Sequence, residues 1–391
     1  MKPRFAPRPC PVCDGLPSIV LFHQSFAGIE GARLMDGYDV LVCANCGAGF
    51  AGGIPEQPAF DEYYRDLSKY ESFDPNIEPR SHEVAATIEE FIVSPDSRIM
   101  ELGSGAGQLL KVLRDRGFED VLGSDPSPGC VGAAERLYGI PGIAGSIFTL
   151  APAEGPFDFL ILIGVLEHIR DLAGAAKNMQ TLLRDGGRVY IEVPDASRYA
   201  PDADAPFQEF SVEHINFFSP ASLANLMGRH GFQSITVERV VRTRNGMACA
   251  NVFGVFVKSP SVPAPLQRDA ETEPGLRAYI EGCRAEDARI RALIERSLPP
   301  GERMAVWGVG AHTLRLLASG GLDPARIDLF VDSSPKYQAK TLSGIAVESP
   351  AALKRYGGPV LISSRGFQRE ILRSARERFG LANRFILLYE V

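Results

Sequence analysis

The chain has 391 residues, 45% hydrophobic and 23% charged, with 41 Lys and Arg against 48 Asp and Glu and a formal net charge of −7. That length exceeds what one hydrophobic core usually holds, so two or three domains are expected. The acidic balance excludes a general nucleic-acid binder, and no apolar run approaches the ~20 residues that insert across a bilayer.

The first element is a cysteine module. Cys10-Pro-Val-Cys13 and Cys43-Ala-Asn-Cys46 are two CxxC knuckles, and Gly15 and Gly47 follow them closely. Four thiolates so spaced can close a tetrahedral zinc site with no coordination position left for chemistry, so the role expected is structural. A segment this poor in large apolar side chains would take much of its stability from the metal. MKPRFAPRPC carries no apolar signal core, and paired knuckles suit a reducing compartment, so a cytoplasmic location is expected.

Next, Val84, Ala85, Ile88, Phe91 and Ile92 fall at helical spacing. Strand, glycine turn and helix follow at Arg98–Leu102, Gly103–Gly107 and Leu109–Leu113. Further strands are expected at Asp120–Gly123 and Phe157–Ile163. Leu172, Ala175, Ala176, Met179, Leu182 and Leu183 mark one face of a helix that Gly186-Gly187 should end, before a strand at Arg188–Val193. The alternation predicts a mostly parallel sheet with helices on both faces.

Ser259–Pro274, rich in Pro and polar residues, reads as a linker. Beyond it, a helix with apolar positions from Leu276 to Ile294 leads into strands at Met304–Trp307, Ile327–Val331, Val360–Ser363 and Phe385–Leu388. The expected organisation is α/β throughout: a four-cysteine module at 1–55, a central Rossmann-like domain at 56–258, a linker at 259–274 and a second, smaller Rossmann-like domain at 275–391.

The central glycine turn has chemistry written into it. In Glu101-Leu102-Gly103-Ser104-Gly105-Ala106-Gly107, glycines let backbone approach a ligand at the carboxyl edge of the sheet, and Asp125 at the end of the next strand can accept both ribose hydroxyl protons. ELGSGAG resembles the first motif of class I S-adenosylmethionine-dependent methyltransferases. The resemblance continues through SDPSPG (124–129), FDFLILIGVLEHIRDL (157–172), LLRDGGRVYIEVPD (182–195) and EHINFFSPASLANLMGRHGF (213–232). It implies S-adenosylmethionine (SAM) as methyl donor. By it, Glu101, Gly103, Ser104, Gly105 and Asp125 hold the methionine and ribose parts, Ser146 and Ile147 border the adenine, and Gly164 lines the floor.

The whole layout resembles the three-domain sugar C-methyltransferases, which join a four-cysteine zinc domain, a cofactor domain and a C-terminal Rossmann-like domain and act on nucleotide-linked keto sugars. That resemblance implies Glu213-His214 as the basic pair, His168 as a further base and Tyr70 as a tyrosine near the zinc domain. The family's tyrosine two residues before the Glu-His pair is Ser211 here, and GVLEHI around His168 is shared with many O- and N-methyltransferases. C- and O-methylation both stand as expectations, as do a different small-molecule acceptor and a non-catalytic SAM-binding scaffold. In the tail, Trp307-Gly308-Val309-Gly310 opens a helix, with Thr313 at the third glycine position. Its turn at Gly308 and Gly310, with Lys336 nearby, either receives a substrate phosphate or only packs.

Overall fold

The computed structural model describes residues 7–16, 18–28, 34–66, 78–244, 247–259 and 265–390. The chain forms two compact units: Met1–Leu21, Val40–Tyr199 and Glu213–Leu276 make one, and Phe22–Asp39, Ala200–Val212 and Arg277–Val391 the other. These bounds cut the chain differently from the sequence division, since parts of the cysteine region and of the central region group with the tail.

The cysteine region contributes β1 (Ser18–Ser25), β2 (Gly37–Cys43) and β3 (Gly49–Gly52). Helix α1 (Gln57–Asp66) and helix α2 (Glu78–Glu89) lead to the central sheet. That sheet is built from β4 (Ile99–Leu102), β5 (Val121–Asp125), β6 (Gly142–Ala144), β7 (Phe157–Ile163) and β8 (Leu183–Pro194). Its helices are α3 (Gln108–Asp115), α4 (Pro128–Tyr138) and α5 (Leu172–Leu182). The local sequence explains them. Ser127 caps α4 by accepting from the Cys130 amide, with Pro128 in the first turn, and Asp171 caps α5 through Gly174. The apolar stripe of α5 is the one expected except for Leu183, which begins β8, and Leu172, Ala175, Ala176, Met179 and Leu182 are all buried.

A two-residue strand β9 (Asn216–Phe217), helix α6 (Pro220–Arg229) and a long hairpin, β10 (Phe232–Arg244) and β11 (Met247–Lys258), complete this part. The seven-stranded order is β10-β11-β8-β7-β4-β5-β6, and β9 joins a separate sheet of order β1-β2-β3-β9. From β4 the chain steps outward through β5 and β6, then crosses to β7 on the other side of β4. The switch point between β4 and β7 is where a crevice opens at the carboxyl ends.

Two expectations are corrected. Gly186-Gly187 do not end α5: the helix stops at Leu182, and both glycines lie inside β8. Leu183 is buried, extended, and paired with Phe157, so the sheet claims the chain before the glycines arrive. The stretch read as a linker is not loose from 265 onward; 260–264 lie outside the described residues. Asp269 is buried and accepts from Ser219 Oγ (2.5 Å) and Thr272 Oγ1 (2.6 Å), while its amide donates to the Cys46 carbonyl (2.8 Å). Gly47 permits that approach, because a Cβ there would sit 2.0 Å from the Asp269 carbonyl oxygen.

One charged network is deeply buried. Glu192 of β8, fully buried, accepts from Arg242 Nη2 (2.9 Å), Tyr190 Oη (2.7 Å), Asn251 Nδ2 (2.9 Å) and Arg80 Nη2 (3.3 Å). Its carbonyl receives the Gly164 amide at 2.9 Å, tying the network to the turn after β7.

In the tail, α7 (Thr272–Ser297) precedes β12 (Met304–Trp307), α8 (Ala311–Ala318), β13 (Ile327–Val331), β14 (Thr341–Leu342), β15 (Ile345–Glu348), β16 (Val360–Ile362), α9 (Gln368–Glu377) and β17 (Phe385–Leu387). The order β14-β15-β13-β12-β16-β17 again switches direction, beside β12. Among the described residues no helix is long and apolar enough to cross a membrane.

Candidate active site

The turn after β4 is shaped by conformation. Gly103, Gly105 and Gly107 take φ of +76°, +51° and +77°, a region glycine occupies without penalty. A Cβ on Gly103 would lie 2.7 Å from Val165 Cγ2, so this turn packs directly against the turn after β7. Asp125 fixes it from the next strand: Oδ2 accepts from the Gly105 amide (3.0 Å) and Oδ1 from the Ser127 amide (2.9 Å). The Ser104 amide donates to the Ser124 carbonyl at 3.0 Å.

Glu101, near the end of β4, is buried, and its Oε2 has no hydrogen-bond partner among the described residues. Burial, with the Asp125 charge beside it, pushes the Glu101 carboxyl well above the ordinary carboxylate range. Two carboxylates at the ends of neighbouring strands call for a ligand rich in donors and positive charge. SAM, with an ammonium, a sulfonium and a ribose diol, fits that donor-poor cradle. Gly164 has φ +65°, Ile147 is buried with its carbonyl accepting from Asn178 Nδ2 (3.1 Å), and the Ser146 amide donates to Thr149 Oγ1 (2.9 Å).

Beside this turn the structure gathers acid–base groups from three segments. Glu167 and His168 follow β7, Glu213 and His214 precede β9, and Tyr63 and Tyr64 lie on α1. A Glu167 oxygen and ring nitrogens of His168 and His214 lie within 4.8 Å of one another. His168 Nδ1 is 2.9 Å from the Glu213 carbonyl, which can only accept, so Nδ1 carries the hydrogen and Nε2 the lone pair. Nε2 is 3.9 Å from Glu167 Oε1, and the His168 and His214 ring centroids are 5.0 Å apart. Tyr64 Oη is 3.0 Å from His168 Nδ1, and Tyr63 Oη donates to Glu213 Oε1 at 3.1 Å. The structure thus brings His168, Glu213 and His214 together; Tyr70 lies outside the described residues. Sequence reasoning missed Tyr63, whose only signal is its place beside Tyr64 on one helix.

The cysteines converge as spacing predicts. All four are buried, with Cys10 and Cys46 Sγ atoms 3.6 Å apart and Cys13 and Cys43 also 3.6 Å apart. A tetrahedron with metal–sulfur bonds of about 2.3 Å has edges of about 3.8 Å, so the donor set fits zinc.

The tail turn repeats the central constellation. The Val309 amide donates to Asp332 Oδ2 (2.9 Å) and the Ser334 amide to Oδ1 (2.8 Å). Gly308 has φ +106°, Gly310 and Lys336 are exposed, and Thr313 is buried with Oγ1 donating to the Gly308 carbonyl at 2.6 Å.

Residues 73–237 match the family described as "Methyltransferase domain". The central region is thus a methyltransferase domain. It is similar to the C-methyltransferase NovU of Streptomyces niveus, at 23% identity over 384 residues, 91% of this chain and 87% of that protein. An O-methyltransferase of Aspergillus sclerotiorum, resE, is 28% identical over 181 residues, 44% of this chain and 67% of its own. Among solved structures, SAM-bound magnesium protoporphyrin IX methyltransferase from Synechocystis PCC 6803 aligns with a TM-score of 0.35 at 18% identity, covering 47% of this chain and 80% of that one.

Proposed function

We propose that the chain methylates a nucleotide-linked keto sugar, or a related polysaccharide building block, with His214 or His168 as general base. The observation that carries this reading is the convergence of two imidazoles with Glu167 and Glu213 beside the Gly103–Gly107 turn. In this reading residues 1–55 bind structural zinc, 56–258 hold donor and chemistry, and 275–391 receive the acceptor's nucleotide around Gly308, Gly310 and Lys336. The likeness to a C-methyltransferase along 91% of the chain supports a shared layout.

Bound SAM supplies a methyl electrophile on a sulfonium. Glu101 faces its positive charge, Asp125 takes the ribose hydroxyls, Gly103, Ser104 and Gly105 admit the methionine part, Ser146 and Ile147 flank the adenine, and Gly164 keeps the floor open. His168 Nε2, with its tautomer set by the Glu213 carbonyl, is ready to accept a proton from the acceptor. Tyr63 holds the Glu213 carboxylate beside His214, where it stabilises the imidazolium that forms. The site then has only to hold the acceptor atom in line with the methyl group.

Thermal-shift measurements with S-adenosylhomocysteine and a panel of nucleotide sugars test this. Stabilisation by both ligand types is expected; by the cofactor product alone, the acceptor is another small molecule. His214→Ala and Glu213→Ala should keep product affinity and lose turnover. Base-catalysed exchange of a sugar C–H with D2O marks C-methylation, and its absence alongside turnover marks O-methylation.

A further inference from the structure

Arg8 lies two residues before the first knuckle and is buried. Its Nη1 donates to the Ala51 carbonyl (3.2 Å) and the Ile215 carbonyl (3.0 Å). Its Nη2 donates to Asn216 Oδ1 (2.7 Å) and the Arg170 carbonyl (3.0 Å). Ala51 belongs to β3, Ile215 and Asn216 directly follow Glu213-His214, and Arg170 ends the turn that carries Glu167-His168. One guanidinium therefore touches both segments that bear the imidazoles, and the strand that follows the second knuckle.

Asn216 closes the same junction from the other side. Its Nδ2 donates to the Leu166 and Ile169 carbonyls, each at 2.7 Å. The Ile215 amide donates to the Glu167 carbonyl (2.8 Å), and the Ala51 amide to the Ile215 carbonyl (2.9 Å). β3 pairs with β9 through Gly49–Phe217 and Phe50–Asn216, with Arg8 lying 5.8 Å from the Phe50 ring centroid.

Every hydrogen-bond acceptor of Arg8 is neutral, and it forms no ion pair among the described residues; burial and the Arg170 charge disfavour its cation, while the Cys10 sulfur and, less, Glu56 favour it. A buried cation held only by neutral hydrogen-bond acceptors is costly unless a nearby negative charge offsets it. A filled four-cysteine site supplies one, because a divalent zinc with four thiolates carries a formal charge of about −2.

We propose that Arg8 couples metal filling of the Cys10/Cys13/Cys43/Cys46 site to the register of the two segments carrying His168 and His214. With the metal bound, the tetrathiolate dianion balances the guanidinium and the junction is tight. With the metal gone, the clamp slackens and the imidazoles lose their spacing, although the metal never meets the substrate. Arg8 is a positioning residue, and its effect on turnover rests on the reading of these segments as the reacting ones.

The test uses full-length, zinc-loaded protein and hydrogen–deuterium exchange of the peptide covering 213–217. Wild type, chelator-stripped wild type, Arg8→Met and Arg8→Lys are compared, with zinc content, S-adenosylhomocysteine affinity, kcat and KM. Arg8→Met should keep its zinc and hold product affinity within about threefold, while the peptide exchanges about tenfold faster. Its kcat should fall about tenfold or more, with KM moving less. Arg8→Lys, which keeps the charge but not the fork, should recover part of both, and stripped wild type should show the same faster exchange. Unchanged exchange in zinc-loaded Arg8→Met, or in the stripped protein, overturns the proposal. Should Arg8→Met not fold, the stripped protein and Arg8→Lys decide. Faster exchange with unaltered kcat upholds the clamp and instead refutes the assignment of chemistry to these segments.

Discussion

Replacing Arg242 with Met leaves Glu192 as a fully buried carboxylate without its main partner. Arg242 gives it Nε at 3.1 Å and Nη2 at 2.9 Å, whereas the remaining guanidinium, Arg80, stands at 3.3 Å. Breaking a buried pair on one side costs about 3–5 kcal/mol, and the surviving donors place the expectation near 3. At about 2–4 °C per kcal/mol for a unit of this size, Tm should drop by roughly 6–12 °C. The pH dependence supplies the signature. Burial alone would push the Glu192 carboxyl up, but the Arg242 hydrogen bonds and the charges of Arg80 and Arg242 outweigh it and hold it below its ordinary value. A depressed acid stabilises the fold above its unfolded pKa and loses that contribution as pH falls through the folded one. In the variant burial dominates, Glu192 rises, and protonation relieves the penalty. The gap between wild type and variant should therefore narrow as calorimetry moves from about pH 7 toward about pH 4.5. A shift under about 2 °C at neutral pH, or a gap indifferent to pH, refutes the reasoning.

Three further outcomes are expected. Because Glu101 is held well above the ordinary carboxylate range and a cationic ligand favours its ionised form, S-adenosylhomocysteine should bind with proton release and more tightly as pH rises; calorimetry in buffers of contrasting ionisation enthalpy reads this, and buffer-independent heats would contradict it. Gly103→Ala places a Cβ at φ +76° and 2.7 Å from Val165, so a stability loss of about 1–2 kcal/mol in denaturant titration and a marked loss of product affinity should appear together. Cys46→Ser removes one of four ligands, and metal analysis should find less zinc per chain than in wild type; equal content would exclude the four-sulfur site.

Where residues write their own geometry, the sequence was readable. The run Phe157–Ile163 is apolar apart from Asp158 because β7 is covered on both faces, and the structure places that strand at the expected residues. The stripe on α5, the two knuckles and the Gly103–Gly107 turn carry equally local signals. What escaped was set by partners remote in sequence. Gly186-Gly187 looked like a helix stop, yet the pairing of Leu183 with Phe157 overrode that chemistry. The Pro-rich composition after Ser259 suggested a tether, but Asp269 finds Ser219 and Cys46. Glu213-His214 was picked out by resemblance, whereas Tyr63, Arg8 and Asn216 owe their places to bonds that no local pattern announces.

The junction around Asn216 also constrains how the chain is made. Arg8 and Asn216 are 208 residues apart, and at about 5–20 residues per second a ribosome needs roughly 10–40 s between them. Throughout that interval β3 has no β9 to pair with, and its open edge invites the wrong strand. Both knuckles, by contrast, emerge early, and under the zinc reading proposed above they would capture their ion while the rest is still being synthesised. Slowed elongation before residue 216, or scarce zinc in that window, would therefore surface as aggregated product rather than as a sluggish enzyme.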